Sequence, residues 1–377
     1  MRVSAIDLFL LELPLTEPFA ASHGQTLSRT VTVVRITTGS GSAWGECSAL
    51  PAATYTSESA ADSFDALGRE LGPLLIDQVL TAAEVVPLLA DHRHRPMAVA
   101  ALEMAVLDGE LRSSGRSLAG WLGVERGTAA AGVSLGLDSV AATTARAVSL
   151  AEEGYSRVKV KIQPGHDLEP VTAIRRALPS IELHLDANGA YDGTDIDLLL
   201  ELVGLGVDAV EQPFPPRQPD AASRLIERLT ALAGDGHPVP IVADESVQSL
   251  ADARDLLDRK AMTGLSIKPA RVGGILTARS LHDLCLNEGL AATAGGMLET
   301  GLGRHALAAL AGLPGFSLTG DLSPARRWLT VDPWPDLEMA DGRISIPTGP
   351  GIAPDPDPAV LAEATIDHIR LGDDPET

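Results

Sequence analysis

Cysteine is nearly missing from this sequence: 377 residues hold two, Cys47 and Cys285, too few for a disulfide framework. Positive charge is also short, with 29 Lys and Arg against 51 Asp and Glu and a formal net charge of −22. With no basic stripe to displace counterions from phosphates, this balance argues against a nucleic-acid partner. No apolar run reaches the roughly 18 residues of a membrane span, so no membrane partner is expected. The first residues lack a charged region followed by a long apolar stretch, and a cytoplasmic location is therefore expected. What is present is the profile of a soluble globular α/β protein: 45% hydrophobic and 21% charged residues, with 36 Gly and 26 Pro. The length exceeds a single core and predicts two structural units, or one barrel with an appended domain.

Three segments near the N terminus alternate in the manner of strands: Arg2–Leu13, Val31–Thr37 and Ala43–Glu46, the last two around Gly39-Ser40-Gly41. From Ser57 to Leu122 the spacing turns helical, with a face of small apolar residues at Ala98, Ala101, Leu102, Ala105, Val106 and Gly109. An N-terminal α+β unit follows from these patterns. After Gly127, short apolar runs alternate with helical stretches. The candidate strands are Ala131–Leu135, Val158–Ile162, Leu183–Asp186, Ala209–Glu211, Ile241–Ala243, Leu265–Ile267, Ala291–Thr293 and Phe316–Leu318. Repeated strand-then-helix order implies parallel strands with right-handed crossovers, and seven or eight units suggest a closed barrel. A doubly wound open sheet is the competing architecture. Beyond Ser323 the chain becomes rich in Pro and Asp, with a strand-like piece at Arg343–Ile346, and is expected to pack back on the N-terminal unit. Residues after about Asp355 are expected to be loosely held.

Five charged residues stand at or just past the ends of consecutive candidate strands: Lys161, Asp186, Glu211, Asp244 and Lys268. The intervals are 25, 25, 33 and 24 residues, each about one β/α unit. Strand C-terminal ends converge on one face of a barrel, so the five side chains would meet around one pocket. Three carboxylates there would repel one another without a cation, and oxygen-only ligation favours Mg²⁺ first and Mn²⁺ second. The competing reading is that each carboxylate caps the following helix. In Val158-Lys159-Val160-Lys161-Ile162, alternation puts Lys159 and Lys161 on one side of the strand. Like charge beside like charge lowers an ammonium pKa, so Lys159 is expected to tune Lys161 as a general base. Lysines that merely neutralise the carboxylates would share the same layout. Lys268 lies four strands on, against the opposite wall. A metal between opposed lysines suits removal of the α-proton of a carboxylate, since the cation stabilises the enediolate as it forms.

At these residues the sequence resembles the enolase superfamily, muconate lactonizing subgroup, and more narrowly the o-succinylbenzoate synthase and N-succinylamino acid racemase family. The likeness runs from Trp44-Gly45-Glu46-Cys47 and Ala101-Leu102-Glu103-Met104-Ala105 to Pro347-Thr348-Gly349-Pro350-Gly351. Its most specific pieces are Ile267-Lys268-Pro269-Ala270-Arg271-Val272-Gly273-Gly274 and Gly295-Gly296-Met297-Leu298-Glu299-Thr300-Gly301-Leu302-Gly303-Arg304. The resemblance implies a modified TIM barrel, (β/α)7β, over residues 129–323. It also implies an α+β capping domain over 1–128, completed by 324–377. It implies Lys161 as acid/base, a metal on Asp186, Glu211 and Asp244, and Lys268 as second acid/base or as a cation that stabilises the intermediate. The implied activity is that of a lyase, an o-succinylbenzoate synthase that dehydrates a cyclohexadiene carboxylate on the menaquinone pathway by syn elimination. N-Succinylamino acid racemase, an isomerase, is the alternative or companion activity. A dipeptide epimerase fits less well, since Gly320-Asp321-Leu322-Ser323 offers one Asp, and a barrel that only binds metal or an anion is the non-enzymatic reading. A homo-oligomer is implied, with a small carboxylate as substrate. Phe19 to Thr26 falls where the family has a specificity loop, but Ala20 and Ala21 stand where an Arg often follows the Phe.

Other residues carry two readings each. Asn188 shares a face with Asp186, and Glu245 either orients Lys268 or caps a helix. Arg271 is either a carboxylate-steering side chain or a solvated surface one. Gly296, Met297 and Glu299 are expected to line the pocket, with Met297 otherwise simple packing. His23 is expected to be exposed, and His184 and His305 structural.

Overall fold

The computed structural model describes residues 1–21 and 24–372, and the side chains outside 18–26. Apolar alternation at the N terminus produces an antiparallel meander of β1 (Val3–Ala21), β2 (Gly24–Thr38) and β3 (Gly41–Cys47). Ile6, Leu8, Leu11, Val34 and Ile36 are fully buried in it. Four helices follow: α1 (Ala60–Ala66), α2 (Ala82–Leu88), α3 (Pro96–Ser113) and α4 (Leu118–Leu122). The small-residue face predicted for 98–109 lies on α3, which packs against β3 so closely that a Cβ on Gly45 would overlap the Ala101 carbonyl. Nearly every residue of α3 is buried, including the carboxylates Glu103 and Asp108. Among the described residues no helix is long and apolar enough to cross a membrane.

After β4 (Thr128–Ala130) the chain alternates strand and helix. The units are β5 (Gly132–Leu135) with α5 (Val140–Glu152), β6 (Arg157–Lys161) with α6 (Leu168–Ala177), and β7 (Glu182–Asp186) with α7 (Ile196–Gly204). Then come β8 (Ala209–Glu211) with α8 (Pro219–Ala233), β9 (Ile241–Ala243) with α9 (Leu250–Asp258), β10 (Gly264–Ile267) with α10 (Ile275–Glu288), and β11 (Ala291–Ala294) with α11 (Gly301–Ala311). Helix α8 is amphipathic, burying Ala221, Ala222, Leu225 and Leu229 at helical spacing, whereas α11 is buried nearly throughout. Side chains of Ser139, Ser249 and Thr300 accept backbone N–H groups at the starts of α5, α9 and α11. The seven strands form one parallel sheet in chain order, curled as a half-barrel, which rules out the doubly wound order.

Phe316–Leu318, the eighth candidate strand, is irregular. Its Ser317 hydroxyl, rather than a backbone carbonyl, accepts the Ala292 N–H at 3.3 Å. The segment nevertheless bridges the two free edges. Leu318 N donates to Ala292 O at 3.0 Å and Asp321 N to Ala294 O at 2.8 Å, while Leu322 O accepts from Gly132 N at 3.1 Å. Beyond it, β12 (Met339–Ala340) and β13 (Arg343–Ser345) form a three-stranded sheet with β4. The loose tail expected after Asp355 is not found through residue 372. Instead α12 (Pro358–Ala364) leads into β14 (Thr365–Gly372), which pairs antiparallel with β1 from Ala5 to Leu11. Asp7, buried on β1, meets Arg35, His368 and Arg370 at 2.8–3.0 Å, and so ties β2 and β14 to β1.

Candidate active site

Register places the chemistry. Lys161 pairs across β6/β7 with Asp186, and Asp186 pairs across β7/β8 with Glu211, so the three stand in one row at the C-terminal ends of adjacent strands. Asp244 and Lys268 follow one residue past β9 and β10. Lys159 and Lys161 share a face of β6, and both reach Asp186, at 3.8 and 3.4 Å. None of the three carboxylates is the N-cap of the helix that follows; those positions belong to Asp195, Gln218 and Ser249.

Each carboxylate faces a cation. Lys159 Nζ donates to Glu211 Oε2 at 2.8 Å and to Asp321 Oδ2 at 2.9 Å. Lys268 Nζ donates to Asp244 Oδ2 at 2.8 Å and to the Tyr55 hydroxyl at 2.9 Å. Lys161 Nζ also donates to Asn188 Oδ1. Asn188 Nδ2 donates to Glu245 Oε1 at 2.8 Å, so Asn188 bridges the two; its φ of 42° is one that asparagine tolerates better than most residues. Carboxylates around Lys159 and Lys268 set the direction of their pKa values. Burial does disfavour the Lys159 ammonium, but Asp321, Glu211 and Asp186 outweigh it and raise its pKa. Burial likewise opposes the charge of Lys268, and Asp244, Tyr55 and Glu211 reverse the effect. Asp244, despite its own burial, is held down to about 2 by Lys268, Arg271 and Lys159. Glu245 is pushed up to about 7 by burial and by Asp244 and Asp186.

Arg271 is neither a surface side chain nor a free steering group. It is fully buried, ion-paired with Asp244, and bonded to Tyr55 at 3.0 Å and to the Val247 carbonyl at 2.8 Å. Glu299 turns to its own loop, where it accepts Met297 N–H at 2.7 Å and meets Arg304 at 3.0 Å. Met297 is buried, and Gly296 lies against the Arg304 guanidinium, 2.8 Å from where a Cβ would stand. His184 is buried against Glu182 at 2.8 Å and His305 against the Gly301 carbonyl at 2.6 Å. His23 and the side chains of the Phe19–Thr26 loop lie outside the described residues.

Three residues of the site were given no role from sequence, although Asp321 was noted as the one Asp after the last candidate strand. Asp321, on the irregular closing segment, meets Lys159, Arg157 at 2.7 Å and Ser134 at 2.6 Å. Tyr55 enters from the loop before α1 and bonds both Asp244 oxygens at 2.9 and 3.0 Å. Gln212, at a φ of 40°, accepts the backbone N–H groups of Asp244 and Ser246 at 2.9 and 3.2 Å and so fixes the turn after β9.

Among the described residues no three His, Cys, Asp or Glu side chains converge at ligating distance as placed. The donor set is still one that a hard divalent cation fits: Asp186, Glu211 and Asp244 offer only oxygens from adjacent strand ends. Glu211 Oε1 is buried with no hydrogen-bond partner, and burial together with Asp186 and Asp244 pushes the Glu211 carboxyl up despite Lys159. An orphaned buried carboxylate oxygen beside two more carboxylates is what a cation would satisfy.

Known proteins share the sequence and the fold of this chain. The model for the enolase C-terminal domain-like family matches residues 141–360. An N-succinylamino acid racemase from Amycolatopsis sp is 38% identical over 99% of this chain and 100% of its own length. The o-succinylbenzoate synthase of Bacillus subtilis is 35% identical over 93% of this chain and 94% of its own. A crystal structure of an enolase-superfamily member from Listeria innocua superposes with a TM-score of 0.91 at 31% identity, covering 98% of this chain and 99% of that one. The chain belongs to the enolase superfamily and, within it, to the family of o-succinylbenzoate synthases and N-succinylamino acid racemases.

Proposed function

We propose that this chain is a metal-dependent o-succinylbenzoate synthase that also racemises N-succinylamino acids. The observation that carries the reading is the pair Lys161 and Lys268 flanking Asp186, Glu211 and Asp244 on consecutive strand ends. Asp186, Glu211 and Asp244 would hold Mg²⁺ or Mn²⁺. The ion, when bound, supplies positive charge to the substrate carboxylate as its α-carbon loses a proton. Lys161 takes that proton at Nζ, oriented by Asn188 Oδ1 and Asp186. In dehydration the leaving hydroxyl departs from the same face, so Lys161 returns its proton to that oxygen. The C–H and C–O bonds break, the ring gains a double bond and water leaves. Lys268, kept charged by Asp244, adds positive charge from the other side. In racemisation Lys268 instead delivers a proton to the opposite face of the α-carbon. The racemase reading is favoured by the relative of that name, which aligns over its whole length.

Residues 1–128, with 324–377, would cap the 129–323 barrel, and the reaction would serve menaquinone formation in the cytoplasm, in a homo-oligomer. Exhaustive chelation is expected to abolish both activities, with Mg²⁺ or Mn²⁺ restoring them. Turnover that survives chelation would remove the metal from the mechanism.

A further inference from the structure

A cavity of about 340 Å³ opens beside the candidate site, a size suited to a small ligand. Its lining includes Asp321, Gly296, Ser134 of β5, Arg146 and Arg327, with the Ser134 hydroxyl donating to Asp321 at 2.6 Å. Asp321 joins the cavity to the chemistry, since one of its oxygens holds Lys159 at 2.9 Å. A third arginine in the wall, Arg304, is already engaged by Glu299 at 3.0 Å and by the Asp321 carbonyl at 2.6 Å.

Arg146 and Arg327 are differently placed. Arg146, on α5, meets one carboxylate, Glu17, at 3.6 Å, and that carboxylate is 72% exposed. Arg327, on the short turn Ala325–Arg327, donates one long hydrogen bond, to the Ser134 carbonyl at 3.4 Å. Burial pulls the Arg327 pKa below the ordinary arginine value and Arg146 adds to the effect, against Tyr155, Glu153 and Glu17. Two guanidinium groups that repel each other in a cavity wall, with weak partners, offer charge that an anion would satisfy. The fork geometry of arginine suits a carboxylate.

We propose that Arg146 and Arg327 receive the second carboxylate of a dicarboxylate substrate, the one at the far end of its succinyl arm. The proposal rests on the functional reading above for the identity of the arm. In that arrangement the first carboxylate and the α-carbon lie at Lys161 and Lys268, and the arm runs past Asp321 into the cavity. Selection for a succinyl group over a neutral acyl group then comes from α5 and from the closing segment of the sheet.

The test is calorimetric binding to the Mg²⁺-loaded enzyme of N-succinylphenylalanine and of N-butanoylphenylalanine, which replaces the terminal carboxylate by a methyl group. Charge-assisted hydrogen bonds predict that the succinyl compound binds about tenfold or more tightly. In the Arg146→Gln/Arg327→Gln double variant the ratio is expected to fall to near unity, and Arg327→Lys should retain part of it. Arg146→Gln alone, at a partly exposed position, should move the ratio in the same direction if the double variant does not fold. Equal binding of the two compounds to the parent enzyme, or a ratio unchanged in the variants, overturns the proposal. A preference that depends on the arginines, in an enzyme that turns over neither substrate, upholds the anion site and overturns the proposed reaction instead.

Discussion

Lys159 and Lys161 share one face of a strand and have different surroundings. Lys159 is buried between Glu211 and Asp321, whereas Lys161 stands at the strand end with a third of its side chain exposed. The inner lysine is enclosed by carboxylates and the outer one reaches solvent. Asp321 is the residue on which this difference turns, because it also pairs with Arg157, a side chain only 1% exposed. Asp321→Asn leaves a buried arginine without its carboxylate and is expected to lower stability by about 3 kcal/mol, read as a lower denaturant midpoint. The lysines and the three carboxylates were legible because strand alternation and one-unit spacing decide where they point. Asp321, Tyr55 and Gln212 were not, since they sit on an irregular segment, on a loop of the other unit and at a left-handed φ, where no periodicity exists. The fate of Arg271 was likewise hidden, as only the fold shows that Asp244 buries it.

At the scale of elements, a buried carboxylate of α3 helps fasten the N-terminal unit to the barrel. Glu103, buried in α3, accepts the first N–H groups of α10 from Ile275 at 3.0 Å and Leu276 at 2.8 Å. Burial raises its pKa to about 7, although the two backbone donors work the other way. The sign follows: below about 4.5 the carboxyl is protonated both folded and unfolded, and stability is not reduced. As pH rises from about 4.5 to about 7 the unfolded chain loses its proton first, and stability falls. Glu103→Gln is therefore expected to flatten the pH dependence of the thermal midpoint between pH 5 and 7.5, and an unchanged slope would rule Glu103 out as its source. Seven of the eight predicted strands formed within a residue or so of their expected bounds. The eighth did not, because Ser317 replaces a backbone partner with its hydroxyl.

For the whole molecule, the two sheets are held together by residues far apart in the chain. Glu46 of β3 accepts from Thr300 and Gly303 at the start of α11, and Tyr55 donates a hydroxyl into the barrel. The C terminus closes the first sheet: Ile369 and Leu371 of β14 lie against Gly68 and Gly72, where a Cβ would stand 2.7 and 2.6 Å from their methyl groups. A short polar-rich stretch gives little local sign of this, since the partner strand is over 350 residues away. Truncation after Ala364 removes those contacts and two of the partners of Asp7, His368 and Arg370. It is expected to cost about 3 kcal/mol or more and to leave an aggregation-prone edge on β1. Scanning calorimetry and light scattering would detect both effects.

The most direct test of the two-lysine site is proton NMR in D₂O of the Mg²⁺-loaded enzyme with an N-succinylamino acid. The parent enzyme is expected to wash deuterium into the α-position of both enantiomers. With one face left without its base, Lys268→Ala should exchange one enantiomer and fall by about 10³-fold or more on the other, and Lys161→Ala should show the opposite bias. Exchange of both enantiomers at the parent rate in either variant would contradict the assignment of Lys161 and Lys268 as the groups that move the proton.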